Sequence, residues 1–164
     1  MGLTFSADEI FEMAEDIERN GMKFYTEAAK GAPDKKSSQM LLNFAEMEEG
    51  HLRIFEKMRG ELKGMEKESS IFDPEGQAAL YLEAIANSRG WEGKASPAER
   101  LTGKESIEDI FKIAIEAEKD SVVFYIGLKE LVPVRAGKDK IEAIIKEEMS
   151  HVAGLSSALA EYKS

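Results

Sequence analysis

Four stretches of the chain place their apolar residues at alternating three- and four-residue steps, the stripe of a helix that buries one face. The first runs Phe11, Ala14, Glu18, Gly21, Tyr25, Ala28, and the second Leu41, Phe44, Glu48, His51, Phe55, Met58, Leu62. The third runs Phe111, Ala114, Glu118, Ser121, Tyr125, Leu128, and the fourth Ile141, Ile144, Glu148, His151, Leu155, Ala158, Tyr162. Local signals set the ends. Ser6-Ala7-Asp8-Glu9 reads as a capping box at the start of the first helix, and Gly31-Ala32-Pro33 stops it after about Lys30. The second helix is expected from about Asp34 to Lys63. Ser106 to Asp109 is a weaker copy of the first cap, and the third helix continues to about Leu131, ahead of Pro133. The fourth is expected from about Lys138 to near the C-terminus. Short turns make each pair an antiparallel hairpin, one in residues 1–64 and one in 105–164.

Residues 65–104 connect the hairpins. Asp73-Pro74 is an N-cap followed by proline at the first helical position, which predicts a short helix to about Ser88, ended by Gly90. Gly90 to Lys104 reads as a loop with Gly, Pro and Ser punctuation; Trp91 lies in it without an assigned role. A connection this long lets the third helix begin at the opposite end of the bundle from where the second finished, the single-crossover topology. The expectation is an all-α four-helix bundle forming one domain over residues 1–164.

The two hairpins are copies of one another. Residues 1–64 lie over residues 101–164 without a gap, matching Ser6 with Ser106, Ile10 with Ile110, Phe11 with Phe111 and Ala14 with Ala114. The match continues through Glu18 with Glu118, Phe24 with Phe124, Tyr25 with Tyr125 and Pro33 with Pro133. It ends on Glu48-x-x-His51 with Glu148-x-x-His151, which contain the chain's two histidines. What repeats is a Glu, a Tyr seven residues later, a helix break and a Glu-x-x-His.

These polar residues sit on the apolar seams. One Glu-x-x-His in a charged helix is ordinarily two solvated side chains, but here four carboxylates face one interior. Burying an unpaired carboxylate costs more than the ~5–15 kcal/mol by which a domain is stable, and no Lys or Arg shares these seams. Two divalent cations would balance four glutamates with the imidazoles neutral. Carboxylate and imidazole without sulfur suit iron or manganese and would accept zinc. Glu and His three apart on a helix share a face and can reach the same ion. Tyr25 and Tyr125, two turns from Glu18 and Glu118, read either as packing or as hydrogen-bond donors to a ligand carboxylate on the partner helix. The methionines fall at core spacing and read as filler.

Composition narrows the chemistry further. There is no cysteine, so disulfides, thiol nucleophiles, iron–sulfur clusters and Cys-ligated zinc are excluded. A net charge of −10 argues against nucleic acid or an anionic membrane surface as a partner, while it suits attraction of cations. No apolar run reaches membrane-spanning length and no basic-then-apolar leader opens the chain, so a cytoplasmic location is expected. Gly2 and Ser6 fit a short myristoylation pattern, but Ser6 is better used as a cap.

At Glu18, Glu48, His51, Glu118, Glu148 and His151 the chain resembles the ferritin-like di-iron carboxylate superfamily, in particular the rubrerythrin-domain group. The resemblance covers both hairpins. It implies that Glu18 and Glu118 are terminal ligands, that Glu48 and Glu148 bridge, and that His51 and His151 each cap one of two irons, with metals ~3.5–4 Å apart. It implies an oxidoreductase that reduces hydrogen peroxide or dioxygen, in a homo-oligomer with a dimer favoured. Three departures qualify it. Without cysteines there is no rubredoxin-type iron site, so electrons must come from a separate donor protein. The extra glutamate that rubrerythrins carry three residues after the third-helix ligand is Ser121 here, and the symmetric position is Gly21. A chain stopping at Ser164 leaves no room for the fifth helix of cage ferritins. Ferroxidase or iron-storage work, and oxygenase chemistry in space left by Gly21 and Ser121, stand as alternatives. A fourth is a structural or interaction protein whose site holds zinc or nothing.

Overall fold

The computed structural model describes residues 7–65, 76, 77, 80–82, 84, 85, 97–132, 134 and 137–163. Four long helices dominate: α1 (Ala7–Lys30), α2 (Lys35–Met65), α3 (Ile107–Leu131) and α4 (Lys138–Lys163). Their ends have local causes. The Asp34 carboxylate accepts the Ser37 backbone N–H at 2.8 Å and opens α2. At α3, Ser106 accepts the Asp109 N–H at 3.1 Å while the Asp109 carboxylate accepts the Ser106 N–H at 3.1 Å, a complete capping box. Val132, which precedes a proline, is extended at φ −94°, and α3 stops there. Gly137 sits at φ +102°, where a side chain would be strained, and its carbonyl accepts the Ile141 N–H to start α4.

The expected helix in the connection is found in part. Residues 77, 80–82, 84 and 85 are helical. The Ser6 cap, the Asp73-Pro74 start, Gly90, Trp91 and Pro133 lie outside the described residues. One expectation is corrected: the described part of the stretch read as loop holds a 3-10 turn, Pro97–Arg100, whose Ala98 packs with Leu101 against the core. Proline with helix formers behind it suffices for one turn. A second correction concerns Tyr162, placed on the fourth seam but exposed. Beyond Leu155 the burial of α4 fades, so its last turn has no core to face.

Two apolar clusters fill the bundle, one at each end. One gathers Phe11, Phe55, Met58, Phe124, Leu128 and Ile144; the other gathers Phe24, Leu41, Phe44, Phe111, Ala114 and Leu155. The start of α1 thus shares an end with the finish of α3, so these helices run antiparallel, as do the partners in each hairpin. The chain runs up, down, down, up, and the connection carries it from one end to the other. Leu82 of the connection belongs to the first cluster. Its seat is Gly127, where a Cβ would lie 2.6 Å from the Tyr81 ring. The matching residue of the first repeat is Glu27, which is exposed.

The repeats differ elsewhere too. Glu15 is buried on α1, bound to Arg19 at 2.9 Å and to Arg59 at 3.1 Å, and Arg59 also grips Asp8 with two nitrogens at 2.9 Å. The second repeat has Ile115 and Leu159 at the positions of Glu15 and Arg59, the first within the apolar cluster and the second partly buried against it. Arg59→Leu should lower stability by about 1–3 kcal/mol, because Glu15 loses one of its two cations. Glu15→Ile with Arg59→Leu, copying the second repeat, should recover most of it in urea unfolding. An undiminished loss in the double variant would show that the ion cluster is not interchangeable with apolar packing.

Candidate metal centre

Between the two apolar clusters lies a layer of polar side chains, one or two from each helix. Glu18 comes from α1, Glu48 and His51 from α2, Glu118 from α3, and Glu148 and His151 from α4. All six are buried, with Glu18 and Glu148 fully so. Each Glu-x-x-His pair shares a helix face, as three-residue spacing requires. Potential ligand atoms fall into two groups, each within 4.8 Å: Glu18, Glu48, His51 and Glu148, and Glu48, Glu118, Glu148 and His151. Glu48 and Glu148 belong to both. The two imidazoles stack across the layer at 5.8 Å between centroids, 17° from parallel.

The histidines turn Nδ1 inward. His51 Nδ1 lies 3.0 Å from Glu148 Oε1, and His151 Nδ1 lies 3.0 Å from Glu148 Oε2. Those are ion-pair separations without hydrogen-bond alignment, so charge holds the pairs rather than a shared proton. Among the described residues, Glu18 Oε2, Glu48 Oε1, both Glu148 oxygens and both Nδ1 atoms are buried without a hydrogen-bond partner. Buried polar atoms are ordinarily satisfied, and six orphans in one layer, four carboxylate oxygens and two imidazole nitrogens, are candidate ligand atoms turned to a common centre. Four carboxylates and two imidazoles suit a pair of divalent cations of the iron or manganese kind.

The tyrosines close the layer from outside. Tyr25 donates its O–H to Glu118 Oε1, and Tyr125 donates to Glu18 Oε1. Each bond crosses from one hairpin to the other. Burial, then the facing carboxylates, push both phenols well above their ordinary range, so they remain donors. Each holds one carboxylate oxygen and leaves the other to the centre. Tyr25 is itself stacked on Phe44 at 5.2 Å.

The protonation pattern follows from crowding. Burial alone would lower His51, but Glu148 and Glu18 outweigh it and push it up to about 11. His151 goes up to about 12 for the same reason, through Glu118, Glu148 and Glu48. Burial raises Glu118 to about 7 and holds Glu18 well above the carboxylate range. Burial and Glu48 push Glu148 upward too, yet the two imidazoles beside it hold it below its usual value.

Gly21 and Ser121 have ordinary occupations. A Cβ at Gly21 would meet the Glu48 carboxylate at 3.2–3.3 Å, so the room left there is filled by Glu48. The Ser121 hydroxyl donates to the Ala117 carbonyl of its own helix at 3.1 Å. Two contacts escaped the sequence reading, Glu147 against His51 and Met47 against His151. The signal was there: positions 47 and 147 sit beside the motif glutamates, yet differ between repeats whose six candidate ligands agree.

Among curated proteins none matches this chain. The fold is shared with a crystal structure from Thermotoga maritima described as a ferritin-like diiron-carboxylate protein. That match has a TM-score of 0.68 and 22% identity, and it covers 99% of each chain. The rubrerythrin family model matches residues 9–159, nearly the whole sequence. An all-α, ferritin-like bundle with a buried glutamate and histidine layer, read along the chain and again across it, makes this protein a member of the rubrerythrin family.

Proposed function

We propose that this protein is a non-haem di-iron oxidoreductase that reduces hydrogen peroxide or dioxygen at a carboxylate-bridged pair of metals. The observation that carries the reading is the set of six buried, unpartnered carboxylate and imidazole atoms turned to one centre. Family membership supports it. Glu48 and Glu148, common to both ligand groups, would bridge. Glu18 and Glu118 would each bind one metal terminally, and His51 and His151 would each cap one through Nδ1. Two ferrous ions held so would supply two electrons, which with two protons take H₂O₂ to two waters or O₂ to H₂O₂. The protein's part is to fix ligand positions, to exclude water with the apolar clusters above and below, and to hold the terminal carboxylates through Tyr25 and Tyr125. Two electrons return each cycle from a separate donor protein, since the chain has no cysteine to hold a second iron site. Space at Gly21 would have favoured an oxygenase pocket, but the Glu48 carboxylate takes it.

The test is to load the protein with Fe²⁺ without oxygen and compare its oxidation by H₂O₂ and by O₂. A rate at least ~10-fold higher with H₂O₂, about 1.4 kcal/mol in barrier, is expected for a peroxide reductase. A fast O₂ reaction without that preference would move the assignment to ferroxidase or oxygenase chemistry. His51→Ala and Glu148→Ala should each lose metal, read by elemental analysis; two metals retained per chain would refute the ligand assignment.

Loading should also expel protons. With His51 and His151 raised to about 11 and 12, both are imidazolium at neutral pH in the metal-free protein. A ligand imidazole must be neutral, so at least one proton leaves each. Protons compete harder as pH falls, so affinity should rise between pH 6 and 8. Calorimetry of Fe²⁺ binding in buffers of differing ionisation enthalpy measures the count. Binding without proton release would show the histidines neutral before loading and leave the ligand set to the His51→Ala test.

A further inference from the structure

The two histidines are alike on their inward side and unlike on their outward side. His51 Nε2 lies 2.8 Å from Glu147 Oε2, an oxygen on the opposite hairpin. His151 Nε2 lies 3.0 Å from Met47 Sδ, again across the hairpins. The repeat places Glu147 and Met47 at equivalent positions, each one residue before the motif glutamate. The centre's six proposed ligands obey the internal symmetry, and this pair breaks it.

The difference has a chemical consequence. A carboxylate accepting the Nε2–H fixes the imidazole in the tautomer that leaves Nδ1 free, and makes that nitrogen a stronger donor. It also brings a negative charge to the His51 side. A thioether is a weak, neutral acceptor and does neither well. The Phe44 ring beside His151, edge-on at 5.1 Å, adds no charge either.

We propose that Glu147 and Met47 are positioning residues that make the two metal positions unequal, so that a first divalent ion settles on the His51 side and a second, more weakly, on the His151 side. This rests on the di-metal reading above. It adds that the centre passes through a defined one-metal form and that residues outside the ligand set decide which position is filled. Both side chains are substantially exposed, Glu147 at 60% and Met47 at 42%, so exchanging them leaves the core untouched.

The experiment is stepwise anaerobic addition of Co²⁺ to the full chain, followed by its visible absorption. Crystals grown at one equivalent would locate the ion by anomalous scattering. The expected result is two binding steps separated by at least about 10-fold, the lower end of what such outer contacts carry, with the first ion on the His51 side. Glu147→Met should weaken the first step and bring the two together. Met47→Glu should strengthen the second and bring them together from the other side. Exchanging both residues should reverse the order of filling, and Glu147→Gln, which keeps an acceptor but no charge, should fall between. Two ions bound in equal steps, or a separation that Glu147→Met leaves unchanged, would overturn the inference while leaving the di-metal reading intact. A chain that binds no Co²⁺ or Fe²⁺ would overturn both.

Discussion

Burying a carboxylate without neutralising or pairing it costs more than a domain's whole stability, and this bundle buries four in a single layer. Around that constraint the other features arrange themselves. No lysine or arginine ammonium or guanidinium reaches the layer among the described contacts; two imidazoles do, and their raised proton affinity is the response of an anionic interior. The fully buried side chains of Phe11, Phe24, Phe55, Phe124 and Tyr125 stand against this cost, each contributing roughly 1.5–3 kcal/mol. A fold that carries such a charge through its middle needs apolar mass on both sides of it, and the two clusters supply that.

The internal repeat explains how the layer is assembled. One hairpin offers a Glu on its first helix and a Glu-x-x-His on its second. Two such hairpins packed face to face double the set. The tyrosines show that neither hairpin is complete alone, since Tyr25 serves the glutamate of α3 and Tyr125 serves that of α1. The histidines reach across as well, His51 to Glu147 and His151 to Met47. Cross-bracing of this kind fixes the layer only when both halves are docked.

Away from the layer the repeats have been free to part. An ion cluster around the buried Glu15 and the part-exposed Arg59 in the first hairpin stands where Ile115 and Leu159 pack in the second. Gly127 admits the connecting segment against α3, while Glu27 faces solvent on α1. One seam position differs in kind, with Gly21 cradling Glu48 and Ser121 bonding its own helix.

The sequence by itself determined the four helices, the pairing into hairpins and the seams on which Glu18, Glu48, His51, Glu118, Glu148 and His151 lie. Periodicity, caps and prolines act over a few residues and are therefore written locally. It did not determine what each side chain meets across the bundle. The inward turn of Nδ1, the exchange of tyrosines between hairpins, the pairing of Glu15 with Arg59 and the contrast of Glu147 with Met47 all join residues some 40 to 110 positions apart. Those contacts depend on the rotation and register of one helix against another, which packing of the whole core decides and no short stretch of chain encodes.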